Sequence, residues 1–210
     1  MRARAALIQT PWRAVPRDRA RSAAAKRFLD LVGASVGLVL LALPMLLLAL
    51  AIRLDSPGPA LFRQARTGCG GRPFVIWKFR TMRHAGRDPG SPTVVTRLGA
   101  FLRPRGLDEL PQLVNVLAGD MSLVGPRPHA IEEDACLADL LPRYRDRQRA
   151  LPGISGWAQV QGWRGPAPEP EAMAERLRHD LWYVEHRTLA LDLHIIGRSL
   201  ALVVRGRMRG

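Results

Sequence analysis

An adjacent carboxylate pair, Asp108 and Glu109, opens the run LDELPQLVNVLAGDMSLVGPRP, which covers Leu107 to Pro128 and closes in a Gly-Pro-Arg-Pro turn. Apolar residues at Leu110, Leu113, Val114 and Leu117 follow the i, i+3, i+4, i+7 spacing of one buried helix face, and Gly119 is placed to end it. This spacing puts both acids at the amino end of a helix. Pro111 falls in the first turn, where its missing N–H removes no intrahelical bond, and Asp108 becomes the N-cap. Two carboxylates so placed are either an ordinary cap with a first-turn acid or a centre for carboxylate chemistry. Taken alone, the pair fits the ordinary cap better.

Other groups with chemical potential are sparse. His84, His129, His179, His186 and His194 form no HExxH-type pair, so surface or core roles are expected. Gly68-Cys69-Gly70-Gly71 lacks the GK[ST] ending of a phosphate loop and reads as a turn. Cys69 and Cys136 form no CxxC, which indicates neither a disulfide framework nor a metal cluster and favours a reducing cytosolic side. Glu132-Glu133-Asp134 reads as a solvated helix face.

These residues must be positioned by a chain of 210 residues, enough for one domain with its own core. Lys and Arg number 32 against 18 acids, a formal charge of +14 that calls for an anionic partner: nucleic acid, an anionic membrane or a phosphorylated substrate. With 6% aromatic residues and no zinc-finger spacing, RNP-type segment or basic-region heptads, a nucleic-acid module is not supported.

Leu31 to Ile52 is an uncharged run of 22 residues, long enough as a helix to cross a hydrocarbon core of about 30 Å. Pro44 divides it into arms of 13 and 8 residues, neither of which spans the core alone. Basic residues flank both ends: Arg2, Arg4, Arg13, Arg17, Arg19, Arg21, Lys26 and Arg27 before, and Arg53, Arg63, Arg66 and Arg72 after. The positive-inside bias is met on both sides only if the segment enters and returns on one face, which favours a re-entrant insertion bent at Pro44 over a spanning helix.

Downstream, Asp55-Ser56-Pro57-Gly58-Pro59 reads as a turn, Leu61 to Thr67 and Phe74 to Met82 as a β-hairpin, and Arg83 to Thr96 as an exposed loop. Pro152 to Trp157 is turn-rich and leads to Gln159. A helix is expected over about Glu171 to His186, with Met173, Leu177, Leu181 and Val184 on one stripe. Leu189 to Val204 suits either a buried core helix or a helix in the membrane interface, anchored by Arg205, Arg207 and Arg209. The resulting fold class is α+β and predominantly α: a re-entrant N-terminal membrane helix-hairpin, a small β-hairpin and a compact helical domain with interfacial amphipathic helices. Its parts are a basic arm over residues 1–25, the membrane helix over 26–54, a cytoplasmic domain over 55–204 and a basic tail over 205–210.

LDELPQLVNVLAGDMSLVGPRP, together with KRFLDL at Lys26 to Leu31, LDSPGP at Leu54 to Pro59, WKFRTM at Trp77 to Met82 and PGISGWAQV at Pro152 to Val160, resembles the bacterial sugar transferases, the monotopic polyprenyl-phosphate phosphoglycosyl transferases. The resemblance runs from about Lys26 to Val204 and suggests the minimal catalytic form of that family. It implies transfer of a sugar 1-phosphate from a UDP-sugar to undecaprenyl phosphate, releasing UMP, through an aspartyl-phosphosugar intermediate, as the first membrane step of a glycan pathway. It further implies the cytoplasmic face of the bacterial inner membrane, an anionic phospholipid surface and no nucleic-acid partner.

By the same resemblance Asp108 is the nucleophile and Glu109 assists with Mg²⁺, or Mn²⁺ in its place, Asp108 being a second metal ligand. Lys78, Arg80, Arg103, Arg127, Gly125, Pro126 and Gln159 are implied around the phosphates and substrate. Physics supports the residue types. Two unit charges about 4 Å apart at an effective dielectric near 20 repel by roughly 4 kcal/mol, so a carboxylate approaching a pyrophosphate needs cations to offset the repulsion. A helix amino end adds a favourable dipole for bound phosphate and keeps Asp108 ionised.

One departure stands out: many family members carry Ser-Pro at the hairpin bend, where this chain has Leu43-Pro44. Two rivals from other classes are a basic membrane-anchored scaffold without catalysis and a membrane-tethered nucleic-acid binder. The acid pair argues against the first and the missing recognition module against the second. No residue reads a hydroxyl, acetamido or amino group, so the identity of the sugar is not legible, nor is the oligomeric state.

Overall fold

A computed structural model describes residues 19–84, 92–164 and 170–205. The arm through residue 18, the centre of the expected Arg83 to Thr96 loop and the tail carrying Arg207 and Arg209 lie outside those residues. Among the described residues the architecture is mostly helical with three two-stranded sheets.

Helix α1 (Arg19–Asp55) continues across Pro44 without a break, where two arms were expected. Proline removes a single donor and its φ is compatible with a helix. Packing holds the second arm in register, since Met45, Leu48, Ala49 and Ile52 lie against Phe79 and Leu102. The first arm packs Ala34 and Leu38 against Ile76, Leu113, Val116 and Met121. Both arms therefore rest on the same folded unit. Val36, Val39, Leu40, Leu43, Leu46, Leu47 and Leu50 recur at helical spacing on the other face and are exposed. The helix is long and apolar enough to cross a membrane.

The charged residues of Lys26 to Leu31 fasten α1 to the rest of the chain. Lys26 Nζ donates to Asp192 Oδ2 at 2.7 Å and to Val124 O at 3.1 Å. Arg27 donates to Val116 O and Leu117 O at 2.7 and 3.0 Å, satisfying carbonyls at a helix carboxyl end. Asp30, 1% exposed, accepts from Ser122 Oγ and from Leu123 N–H, both at 2.9 Å. Asp30→Ala would leave the Leu123 N–H without its acceptor and Ser122 Oγ with only Val124 O, a cost of about 1–3 kcal/mol. Denaturant unfolding in nanodiscs should show that loss; a change under about 0.5 kcal/mol would mean the contact does not hold the helix.

Strands β1 (Leu61–Thr67) and β2 (Pro73–Phe79) form the expected antiparallel hairpin, in register from Leu61↔Phe79 to Thr67↔Pro73, with the glycine cluster as its turn. The second strand stops at Phe79, short of Met82. β3 (Met82–His84) then pairs with β4 (Thr93–Val95) where a loop was expected. Asp55 and Ser56, from LDSPGP, serve this region: Asp55 accepts from Leu98 N–H at the start of α2 (Arg97–Leu102), and Ser56 accepts from Arg80.

Helix α3 (Gln112–Ala118) begins later than the spacing implied and ends at Gly119 as expected. It buries Gln112, Leu113, Asn115 and Val116, while Val114 and Leu117 are exposed. A 3-10 turn before it advances the chain by a different angle from an α-turn, so the helical phase counted from Leu110 does not carry through. β5 (Ser122–Val124) pairs in parallel with β6 (Gly153–Ser155). Between them lies α4 (Ile131–Leu140). Glu132 and Glu133 are exposed there, but Asp134, expected on a solvated face, is buried and accepts from Tyr144 Oη at 2.9 Å and Gln148 Nε2 at 2.9 Å. The short α5 (Trp157–Val160) leads to α6 (Pro170–His186), whose Met173, Leu177, Leu181 and Val184 stripe is buried as expected. Helix α7 (Leu189–Val204) buries Asp192 and Ile195 and leaves Leu193, Leu200 and Val204 exposed.

Candidate active site

The acid pair sits in a 3-10 turn, Leu107–Glu109, and not in the first turn of an α-helix. Gly106 opens that turn with φ 66°, a left-handed conformation that favours glycine. Pro111 then precedes α3. Asp108 is therefore not an N-cap, and the helix dipole is not what governs its charge.

Three other parts of the chain converge on Glu109, which is 3% exposed. Lys78 Nζ, from β2, donates to Oε1 at 3.3 Å. Arg127 Nη2 lies 2.7 Å from the same oxygen. Arg164 Nη2, from the turn after α5, donates to Oε2 at 2.7 Å. Burial alone would raise the Glu109 pKa, but Arg127, Lys78 and Arg164 outweigh it and hold the carboxyl far below the usual range. The effects on the cations mirror this. Burial lowers the Lys78 pKa against the pull of Glu109, and the Arg127 guanidinium is held charged chiefly by Glu109.

Asp108 is the opposite case. It is half-buried, and among the described residues its carboxylate makes neither a hydrogen bond nor an ion pair. Burial and then the Glu109 charge raise its pKa, with Lys78, Arg127 and Arg164 opposing. The pair is thus divided into one saturated carboxylate that anchors cations and one with open lone pairs. Lys78, Arg127 and Arg164 give the surroundings of the acid pair a positive character that favours anions.

Local structure explains the convergence. Asn115 of α3 docks on β2 as a strand neighbour would: its Oδ1 accepts from Trp77 N–H at 3.1 Å and its Nδ2 donates to Val75 O at 2.7 Å. The helix that follows the acid pair is thereby bonded to the strand that carries Lys78. Gly125 passes so near the loop before β6 that a Cβ there would stand 2.1 Å from Leu151 O, and Pro126 O accepts from Gly153 N–H at 3.0 Å. Gly125 and Pro126 thus shape the turn that presents Arg127.

Three expected phosphate groups lie elsewhere. The Arg80 guanidinium donates to Pro57 O, Ser56 O, Ser56 Oγ and Ile52 O, tying down the turn after α1. The strand ends at Phe79, so the alternation that would align Arg80 with Lys78 is lost. Arg103 is exposed, on the far side of the Gly106 reversal. Gln159 Nε2 donates to Ile154 O at 3.3 Å inside its own loop. Arg164, by contrast, was not read from the sequence: a lone arginine in Trp163-Arg164-Gly165 carries no spacing signal.

Among the described residues no group of three or more His, Cys, Asp or Glu side chains gathers as a metal centre. Both Glu109 oxygens already face cations, which leaves Asp108 as the open carboxylate. That donor set fits a Mg²⁺ ion that arrives on phosphate oxygens and takes one carboxylate more than it fits a resident metal.

Residues 21–206 match the sequence family described as bacterial sugar transferase. The chain is 49% identical to the UDP-glucose:undecaprenyl-phosphate glucose-1-phosphate transferase of Caulobacter vibrioides over 181 residues, 83% of this chain and 68% of that one. It is 42% identical to the exopolysaccharide production protein PSS of Rhizobium leguminosarum bv. phaseoli over 193 residues, covering 87% and 96%. It is 38% identical to the UDP-N-acetylgalactosamine-undecaprenyl-phosphate N-acetylgalactosaminephosphotransferase of Aeromonas hydrophila over 191 residues, covering 86% and 44%. The chain spans well under half the length of several further relatives.

Proposed function

Because the chain belongs to the bacterial sugar transferase family, we propose that it transfers a sugar 1-phosphate from a UDP-sugar to undecaprenyl phosphate, yielding UMP and the polyprenyl-diphosphate sugar. The observation that carries this reading is the divided acid pair: an Asp108 carboxylate with open lone pairs beside a Glu109 that gathers three cations.

Asp108 attacks the phosphorus that bears the sugar, the bond to the UMP oxygen breaks, and an aspartyl-phosphosugar remains. An oxygen of the lipid phosphate then attacks the same phosphorus and releases Asp108. Lys78, Arg127 and Arg164 bind and orient the diphosphate and offset the charge that gathers on its oxygens. A Mg²⁺ ion held by Asp108 and the diphosphate would supply Lewis-acid stabilisation of the leaving phosphate. The test is UMP release with undecaprenyl phosphate and Mg²⁺ against a panel including UDP-glucose and UDP-N-acetylgalactosamine, the donors in the names of two relatives. Release should occur with at least one donor and depend on the lipid; no release with any donor overturns the reading.

A raised Asp108 pKa places the acid limb of the rate above the ordinary aspartate range of about 3.9. The attacking form is the anion, so kcat/KM is retained at high pH and falls as pH drops through the raised value. A pH profile with its acidic midpoint at or below the ordinary value would contradict this.

The same reading puts α1 in the cytoplasmic leaflet as a re-entrant, monotopic insertion of the inner membrane, with the basic flanks and α7 at the interface. It is supported by the docking of both arms of α1 on one unit, because a straight spanning helix carries only one of its ends to a domain on one side. Tags at the two ends of the chain should be cleaved by protease from the cytoplasmic face alone; cleavage of either from the periplasm would show a spanning helix.

A further inference from the structure

The turn that presents Arg127 has prolines on both sides of it, and proline has no N–H to anchor. Its carbonyls do that work. Pro126 O accepts from Gly153 N–H at 3.0 Å, Arg127 O from Arg147 Nη2 at 2.5 Å, Pro128 O from Arg66 Nη1 at 3.3 Å, and His129 O from Thr67 N–H at 3.1 Å. Four successive carbonyls are thus each met by a donor from another element. The one belonging to Arg127 is held by a charge buried inside the protein.

Arg147 is 4% exposed and Asp180, on α6, is 2% exposed. Arg147 Nε and Nη2 donate to Asp180 Oδ2 at 3.0 and 2.8 Å, and Nη1 reaches the Tyr144 hydroxyl at 3.4 Å. The planar guanidinium therefore bridges a carboxylate on α6 and the carbonyl of the phosphate-binding arginine. Such a buried pair is a poor investment for stability alone, since apolar side chains of similar volume hold a core as well or better. A directed donor for one particular carbonyl is what apolar packing does not supply. Neither residue reaches Glu109, and the mechanism above uses neither.

We propose that Arg147, held by Asp180, is a positioning residue of the transfer reaction: acting through the Arg127 carbonyl, it sets where the Arg127 guanidinium meets the substrate diphosphate. This rests on the function proposed above. The arginine side chain is a long lever on its own peptide unit, so a small rotation at the carbonyl moves the guanidinium much further. A displacement of about 1 Å at a reacting group lowers rate by as much as about a hundredfold.

The test is a double-mutant cycle. Arg147→Lys keeps a positive charge beside Asp180 but loses the fork that spans both partners. With Arg127 present it should lower kcat/KM for the UDP-sugar by about tenfold or more; in an Arg127→Ala background it should change kcat/KM by less than about twofold. The same four proteins are compared for UDP affinity by calorimetry, where the same non-additivity is expected without turnover. Asp180→Asn, which keeps an acceptor oxygen at the position, runs the cycle again and replaces Arg147→Lys if melting curves show that variant unfolded. Equal losses in both backgrounds would show that Arg147 acts on the fold at large and overturn the proposal. Wild-type protein that binds UDP but releases no UMP from any donor removes the functional reading and leaves the affinity cycle to decide this one. Wild-type protein that does not bind UDP removes both.

Discussion

Asp108→Asn is expected to abolish turnover, with UMP release falling by at least about a thousandfold, or about 4 kcal/mol in the barrier. The amide nearly matches the carboxylate in shape but has no anionic oxygen with which to form the acyl phosphate. Stability should move the other way or not at all. Asp108 makes no hydrogen bond or ion pair among the described residues, and its raised pKa means that the ionised form opposes folding at neutral pH. A melting temperature equal to or above wild type, with activity gone, separates loss of a nucleophile from loss of structure. The covalent step gives a second measurement: incubated with a sugar-labelled donor and no lipid acceptor, wild-type protein should retain label after acid quenching and the variant should not. Unchanged UMP release from the variant would end the assignment of Asp108.

Glu109→Gln should show the reverse balance, a large loss of stability together with loss of activity. The substitution leaves Lys78, Arg127 and Arg164 around a neutral amide in a buried site, and breaking a buried ion pair costs about 3–5 kcal/mol. For a chain of this size that is a fall in Tm of about 10 °C. The cations then need another anion. UDP or inorganic pyrophosphate should raise the Tm of the variant by more than it raises that of wild type, because it supplies the charge that Glu109 supplied. A variant as stable as wild type, or one that gains no more from these anions, would show that Glu109 does not hold the cluster.

The acid pair, Lys78 and Arg127 were legible as a group because family-specific strings carry them, and the fold brings them together across 31 residues between Lys78 and Glu109. The long apolar helix was legible from its uncharged run, α6 from its apolar stripe and α7 from its apolar density, and α7 matches the expected Leu189 to Val204. The errors have local causes. Arg80 was placed beside Lys78 by the resemblance, and the strand ends at Phe79, one residue too soon for the two to share a face. Arg103 was placed by the same resemblance, and the left-handed Gly106 turns the chain between it and the acid pair. The helix phase failed at Val114 and Leu117 because a 3-10 turn looks like an α-turn in a pattern of apolar residues. Arg164, Arg147 and Asp180 left no trace, since a single charge in a basic chain does not announce what it faces across 55 or 33 residues.

The fastening of both ends of α1 has a kinetic consequence. Lys26, Arg27 and Asp30 at one end, and the stretch from Ile52 to Ser56 at the other, are bonded to the same unit that carries Asp108. No slack tether separates α1 from the acid pair. With α1 seated in the bilayer as proposed, the fold itself sets the height of Asp108 above the membrane plane. The lipid acceptor then reaches it only by lateral diffusion, and that half-reaction answers to acceptor molecules per unit area of bilayer. The nucleotide sugar arrives from solution and is counted per unit volume. Diluting the acceptor with inert lipid slows one half-reaction and leaves the other untouched, so the two substrates of a single site obey concentrations of different dimension.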